Sequence, residues 1–291
     1  MVNNIACITC FYNFYNCSLQ ECNLHSFIQH MSEFNVPVYG VELVLPNQTP
    51  ATTCYPNWKQ VVGEDDSILW QKEALLNLAE KIVPEEYTVL AWVDADIQFE
   101  NKKWVDDLYT QLEFCDFVQL FTQAHWLDAD NNIDQTLPTV INYNPTVWAG
   151  HPGFAWSCTR KTWRQIGGLY ERCISGGGDR VIAAAITEKI GFIYKKLNKY
   201  IGSDQSFFIE WCSHVRGRIS SNIPGDVYHK FHGTASNRQY DTRKKYTPSI
   251  DAFKDVVKDK DGVLRWNSNV SDEIKQHFKY YFLKRKVEQH E

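Results

Sequence analysis

The segment TVLAWVDADIQF, residues 88–99, places two aspartates directly after an apolar run. Residues 87–93 are typical of a buried strand, and Asp94 and Asp96 follow with one residue between them. In an extended backbone, side chains two positions apart point to the same side, so the two carboxylates would lie together. Their repulsion is costly unless water or a cation relieves it. The segment therefore predicts either a solvated strand end or a cation site.

The chain before this segment alternates predicted strands and helices. Apolar runs and helical periodicity predict strands at residues 4–12, 36–45 and 58–62 and helices at residues 18–31 and 68–82. Ser18 and Glu21 are expected to form a capping box at the start of the first helix. The pattern indicates an α/β fold, with a mixed, mainly parallel sheet flanked by helices and ligands bound at the carboxyl ends of the strands.

The second half of the chain is less regular. It predicts a strand at residues 117–121, a polar loop at 128–134, and helices at 159–166, 179–190, 204–218 and 272–286. A second DAD, at residues 128–130, follows no apolar strand and is interpreted as a solvated loop. No GxGxxG follows the first strand and no Walker lysine loop occurs, which disfavours a dinucleotide fold and a P-loop enzyme.

Composition narrows the function classes. The 291 residues carry a net charge of −5, which argues against a general nucleic-acid binder. Aromatic residues make up 14%, which suits core packing and also stacking on a sugar or a base. The sequence shows no signal-peptide pattern and no apolar run long enough for a transmembrane helix.

Cysteine usage bears on compartment and metal binding. Nine cysteines, an odd number, favour free thiols in a reducing, cytoplasmic context. Cys7, Cys10, Cys17 and Cys22 have a spacing that a zinc knuckle could use. Cys7, however, lies inside the first strand pattern and no second cluster repeats the spacing, so free thiols are the preferred interpretation.

Two later motifs carry candidate chemistry. The segment HKFHGTASNRQYDTRKKY, residues 229–246, offers His229 and His232 as imidazole ligands, and its basic residues suit a diphosphate clamp. The segment GGLYERCISGGGD, residues 167–179, has three glycines that leave room for a sugar before Asp179. Asp179 opens the next predicted helix, where it could be an N-cap.

The order of these segments resembles a glycosyltransferase of the GT-A type over residues 4–246. The resemblance implies a single GT-A-like domain at residues 1–250, with a nucleotide-sugar half at 1–100, an acceptor half at 101–250, and a helical extension at 251–291 packed on it. It implies transfer of a sugar, with inversion, from a nucleotide sugar to a carbohydrate or other hydroxyl acceptor. UDP-sugar is the favoured donor and GDP-sugar the other candidate. Mn²⁺ or Mg²⁺ would neutralise the diphosphate leaving group.

The resemblance also implies site residues. Asp96 is the implied metal ligand with Asp94 as helper, and His232 is preferred over His229 because a glycine follows it. Asp179 is the implied base, although the family often has Glu-Asp where this chain has Gly-Asp, and Glu171 is the substitute. The implied donor-binding residues are Thr9, Phe11, Tyr12, Asp66, Lys72, Asn77, Asp94, Lys230 and Arg238. The implied acceptor-binding residues are Trp148, His151, Trp156, Gly177 and Gly178.

Two alternative functions stay open. A nucleotidyltransferase that makes nucleotide sugars shares such a core, but it usually has a glycine-rich, basic signature after the first strand, which NIACITCFYNFY lacks. A non-catalytic glycan- or nucleotide-binding module on the same fold would bind the donor without turnover. The C-terminal helix has a basic end that could contact a membrane, although docking on the domain is the preferred interpretation.

Overall fold

A computed structural model describes residues 4–141, 148–239 and 242–285 of the chain. The strands are β1 Ile5–Tyr12, β2 Val38–Val44, β3 Trp58–Val62, β4 Val89–Val93, β5 Ile97–Phe99, β6 Phe117–Gln119, β7 Gln123–Leu127, β8 Ile133–Pro138, β9 Ala155–Thr159, β10 Ser220–Asn222, β11 Asp226–His229, β12 Val256–Lys258 and β13 Leu264–Trp266. The helices are α1 Ser18–Ser32, α2 Lys72–Glu80, α3 Trp104–Leu112, α4 Arg160–Gln165, α5 Gly178–Ile186, α6 Asn198–Ile201, α7 Ser206–Val215, α8 Ala235–Arg238 and α9 Asp272–Lys284.

The centre of the molecule is a seven-stranded sheet in the order β10-β6-β9-β4-β1-β2-β3. Strands β1 to β4 pair in parallel, and β9 runs antiparallel between β4 and β6. Every residue of β2 and β4 is buried, as expected for strands covered on both faces by helices. The predicted mixed, mainly parallel α/β sheet is confirmed.

A second sheet, in the order β5-β11-β7-β8, was not predicted from the sequence. Its strand β11 pairs antiparallel with β5, which places His229 opposite Ile97. The backbone amide of Lys230 donates to the carbonyl of Asp96 over 2.9 Å. This pairing brings a late segment of the chain beside the end of the central strand β4.

Two helix starts differ from the prediction. The capping box of Ser18 and Glu21 does not form, because Asn13 instead accepts from the amide of Cys17 over 2.8 Å and donates to the carboxylate of Glu21. Helix α2 begins at Lys72 rather than at residue 68, because a 3₁₀ turn at Asp65–Ser67 precedes it and the apolar residues after that turn are buried outside the helix. Apolar periodicity therefore overstated the length of α2.

The C-terminal helix α9 docks on the body of the molecule. Phe278, Tyr281 and Phe282 are buried, and the ring of Phe282 lies 5.0 Å from that of Phe14. The predicted end of this helix, at residue 286, lies outside the described residues. None of the described helices is long and apolar enough to cross a bilayer.

Candidate functional site

A cavity of about 1040 Å³ opens at the carboxyl ends of β1 and β4. Its walls include residues 9–12 of β1, residues 93–96 at and after the end of β4, and the start of α5. In open parallel sheets, ligands bind at this edge because the strand ends and helix starts meet there. The cavity therefore lies where the predicted site residues were expected.

Asp96, His229 and His232 converge at one wall of this cavity. The Oδ2 atom of Asp96 lies 3.4 Å from Nε2 of His229 and 3.2 Å from Nε2 of His232. The two Nε2 atoms are 3.1 Å apart. One ligand atom from each residue lies within 4.8 Å of the others, an arrangement that could hold a metal ion.

This cluster fits a divalent cation. Ligand atoms at right angles and about 2.1 Å from an octahedral ion are about 3.0 Å apart, close to the separations found here. Oδ1 of Asp96 and Nδ1 of His229 are buried with no hydrogen-bond partner among the described residues. A buried polar atom without a partner is costly, which an ion or an ordered water would relieve. Two imidazoles and one carboxylate suit Mn²⁺ better than Mg²⁺, which prefers oxygen ligands.

The charge states of the cluster suit ligation. Burial acts to raise the pKa of Asp96, but its contacts with His229 and His232 hold that pKa well below the usual value. Burial, together with the charge of Arg238, lowers the pKa of His232 to about 3, so this imidazole is neutral at neutral pH. A neutral imidazole and an ionised carboxylate are the metal-binding forms.

Arg238 blocks part of this cluster as the structure stands. One of its Nη atoms lies 2.7 Å from Nε2 of His232 and donates to that nitrogen. A lone pair that accepts from a guanidinium cannot ligate a metal at the same time. Metal binding at His232 therefore requires the Arg238 side chain to move aside.

Asp94 lies apart from the cluster, in an ion-pair network with Lys72 and Asp179. Nζ of Lys72 is 2.6 Å from Asp94 and 2.8 Å from Asp179. Asp94 and Asp96 do not lie in a strand, because β4 ends at Val93, and their carboxylates contact different partners. Burial, with the charges of Asp179 and Asp96, raises the pKa of Asp94 to about 7. Burial opposes the charge of Lys72, but the two carboxylates outweigh it and raise the pKa of Lys72 well above its usual value.

Beneath this network lies Glu73, which the sequence did not single out. Its side chain is buried, and neither carboxyl oxygen has a hydrogen-bond partner among the described residues. Burial, with the charge of Asp179, raises its pKa to about 8. A Cβ added at Gly178 would lie 2.0 Å from Oε1 of Glu73. Close approach to Glu73 is thus the reason for a glycine at position 178.

The predicted donor residues separate into two groups. Thr9, Phe11, Tyr12, Lys72, Asp94 and Arg238 line the cavity. The other three do not line it. Asp66 pairs with Arg265 at 2.9 Å, Asn77 donates to the carbonyl of Leu169 over 2.9 Å, and Lys230 donates to Ser26 over 2.6 Å.

The predicted acceptor residues also separate. His151, Gly177 and the implied base Asp179 line the cavity, whereas Trp148, Trp156 and Gly178 do not. Trp156 is buried, donates its indole N–H to the carbonyl of Pro152 and stacks at 6.5 Å on Trp92. Trp148 packs against the main core, and Glu171 forms an ion pair with Lys258 at 2.5 Å.

Several cavity residues were not predicted. They include Gln20, Asn23, Trp70, Arg180, Lys196, Lys199, Tyr200 and Arg285. The segment YKKLNKY, residues 194–200, contains three lysines, and this local excess is a signal that could have been followed. The others are brought together only by the tertiary fold.

No known protein family and no curated protein matches the chain. Among solved structures, a complex of Drosophila β1,4-galactosyltransferase 7 with manganese, UDP-Gal and xylobiose matches with 13% identity and a TM-score of 0.38, over 63% of this chain and 62% of that one. The catalytic domain of the same enzyme with xylobiose matches with 13% identity and a TM-score of 0.35, over 65% and 60%.

A third match is 4-diphosphocytidyl-2C-methyl-D-erythritol synthase from Anaerococcus prevotii, with 11% identity and a TM-score of 0.36 over 76% of this chain and 90% of that one. This chain thus spans less than two thirds of the galactosyltransferase chains that it matches. The function of this chain is therefore argued from the residues of its own site.

Proposed function

We propose that this chain is a metal-dependent GT-A glycosyltransferase that transfers a sugar from a UDP-sugar to a hydroxyl group of a carbohydrate acceptor, with inversion. The observation that carries the proposal is one cavity, at the carboxyl ends of the parallel strands, that holds both the Asp96–His229–His232 cluster and Asp179. The first group suits a cation beside a diphosphate, and the second suits proton removal from an acceptor.

Asp96, His229 and His232 would hold the cation, which when bound acts as a Lewis acid on the leaving diphosphate. Arg238 lies beside the same atoms, 2.7 Å from His232. Its planar guanidinium can bind phosphate oxygens through two parallel hydrogen bonds. Arg238 would therefore leave His232 and contact the diphosphate when the donor binds.

Asp179 would act as the general base. Its carboxylate lines the cavity, and the side chain is 35% exposed, which leaves it accessible to an acceptor. The acceptor oxygen forms a bond to the anomeric carbon while the bond from that carbon to the diphosphate oxygen breaks. The proton passes to Asp179, and the diphosphate leaves with the electron pair. Attack from the side opposite the leaving group inverts the anomeric centre.

Lys72 would position the base. Its ammonium contacts both Asp94 and Asp179, so it fixes the Asp179 carboxylate and balances the negative charge on this side of the cavity. We assign the donor to the half at residues 1–100, where Phe11 and Tyr12 line the cavity, and the acceptor to the half at 101–250. The extension at residues 251–291 would pack on this domain, and its Tyr281 and Arg285 line the cavity.

The test is UDP release from a panel of UDP-sugars with Mn²⁺, compared between the wild-type chain and Asp179→Asn. The variant should keep its affinity for UDP and lose turnover by about 10²- to 10⁴-fold, the contribution typical of a positioned general base. Lys195→Gln, an exposed change outside the cavity lining, serves as the control. Equal turnover in Asp179→Asn and wild type would remove Asp179 as the base.

A further inference from the structure

The cavity is strongly basic although the chain as a whole is acidic, with a net charge of −5. The carboxylates that line it are those of Asp94, Asp96 and Asp179. The lysines and arginines that line it are Lys72, Arg180, Lys196, Lys199, Arg238, Arg243, Lys244, Lys245 and Arg285. A concave surface with this excess concentrates anions and favours a negatively charged ligand.

Four of these cations lie at the metal cluster, in its neighbouring ion pairs or over the ring of Trp70, whereas Lys244 and Lys245 contact Tyr200 and Tyr246. Lys72 pairs with two carboxylates, and Arg238 lies against the metal cluster. Arg243 donates to the hydroxyl of Tyr281 over 2.8 Å, and both Arg243 and Arg285 lie over the ring of Trp70. The remaining five, Arg180, Lys196, Lys199, Lys244 and Lys245, are called the basic rim below.

The basic rim lies on the Asp179 side of the cavity. Arg180 follows Asp179 directly in the chain. A Cβ added at Gly177 would lie 2.7 Å from the ring of Tyr200 and 3.3 Å from Nζ of Lys244. Nζ of Lys244 itself lies 4.0 Å from the centre of the Tyr200 ring. Tyr200 and Lys244 thus rest against the backbone that leads into the proposed base.

Carboxylates neutralise few of the charges of the basic rim. Among the residues that the structure describes, Arg180, Lys196 and Lys199 form no ion pair with a carboxylate, and all three side chains are exposed at the cavity mouth. Cations gathered at one mouth repel one another, and a bound anion would relieve that repulsion. A phosphate group offers three oxygens to such a set of donors.

We propose that the acceptor is a phosphorylated carbohydrate whose phosphate group binds to the basic rim while its hydroxyl group faces Asp179. This inference rests on the proposed function, because it uses Asp179 as the base that defines the acceptor side. The diphosphate of the donor belongs to the other wall, beside Asp96 and Arg238. The ring of Tyr200 lines the cavity beside Lys244 and would contact the acceptor sugar.

The experiment is calorimetric titration of the chain, saturated with UDP and Mn²⁺, with glucose 1-phosphate and with glucose as the uncharged counterpart. The same titrations use a double variant, Lys196→Gln with Lys199→Gln. Lys195→Gln is the matched control, since Lys195 belongs to the same segment, is exposed and does not line the cavity.

We expect glucose 1-phosphate to bind more tightly than glucose, and the double variant to weaken its binding by about tenfold, as loss of two partly screened charge contacts implies. Added NaCl should weaken the binding of glucose 1-phosphate further. The double variant should keep the wild-type affinity for UDP, and Lys195→Gln should keep the wild-type affinity for glucose 1-phosphate. Equal binding of the two sugars, or equal binding to wild type and double variant, would overturn the inference.

A second arm tests whether the rim serves a lipid headgroup instead. Sedimentation with phosphatidylglycerol vesicles that depends on Lys196 and Lys199, without rim-dependent binding of the sugar phosphate, would also overturn the inference. Failure of the proposed function gives a different result, because the wild-type chain would then bind UDP no better with Mn²⁺ than with EDTA.

Discussion

We predict that the free energy of unfolding depends on pH through the ionisation of Glu73. This carboxyl group is 2% exposed, lies against the start of α5, and has a pKa of about 8 because of burial and the nearby charge of Asp179. In the unfolded chain the same group titrates at its ordinary value of 4.5. Between these two values the folded state holds a proton that the unfolded state has released.

The sign and the size of the effect follow from this difference. Proton binding to the folded state alone lowers the free energy of unfolding as the pH rises, by at most about 1.4 kcal/mol per pH unit. The stabilisation is fully present below pH 4.5 and is lost as the pH rises through about 8. Between pH 5.5 and 7.5, this group should thus lower the free energy of unfolding by at most about 3 kcal/mol.

The assay is urea unfolding followed by circular dichroism between pH 5.5 and 8.5, for wild type and Glu73→Gln. Glutamine is neutral at every pH, so only the wild type loses stability through this group as the pH rises. The free energy of unfolding of Glu73→Gln, relative to that of wild type, should therefore increase with pH. Glu86→Gln, at an exposed position, should give a difference that does not change with pH. The reasoning is refuted if the Glu73→Gln difference is equally constant.

Two further predictions concern the cluster and the glycine before the base. Arg238→Met should strengthen Mn²⁺ binding in the absence of nucleotide, because the guanidinium that donates to Nε2 of His232 is gone. The same variant should bind UDP more weakly in the presence of Mn²⁺. An unchanged Mn²⁺ affinity in calorimetry would contradict the first expectation. Gly178→Ala should lower the midpoint of urea unfolding and destabilise the fold by about 1–3 kcal/mol, as overpacking does, because the new Cβ meets Glu73. Gly191→Ala, where nothing lies within 4 Å of an added Cβ, should leave that midpoint unchanged, and equal effects of the two changes would contradict the packing argument.

The central sheet was predictable because its strands are continuous apolar runs. The runs at β1, β2 and β4 are buried along nearly their whole length, so the local pattern alone reveals them. The second sheet was not predictable, since β5 and β11 have three and four residues and pair across more than a hundred positions. Such short, non-local strands leave no periodic signal in the sequence.

The candidate site was predictable in part for the same reasons. Asp96 stands at the end of an apolar strand, and the sequence favoured His232 over His229 as its companion. The structure brings both histidines to Asp96, because β11 carries His229 to the end of β4 through non-local pairing. The contact of Asp94 with Lys72 was missed because a one-residue change from strand to turn redirects the side chain.

The most direct test of the proposed function is calorimetric titration of UDP into the wild-type chain and into Asp96→Asn, each with Mn²⁺ and with EDTA. Circular dichroism confirms that both chains are folded. The proposal predicts that wild type binds UDP at least tenfold more tightly with Mn²⁺ than with EDTA, and that the variant shows no such gain. Equal affinity of wild type in Mn²⁺ and EDTA, or an undiminished Mn²⁺ effect in Asp96→Asn, would contradict it.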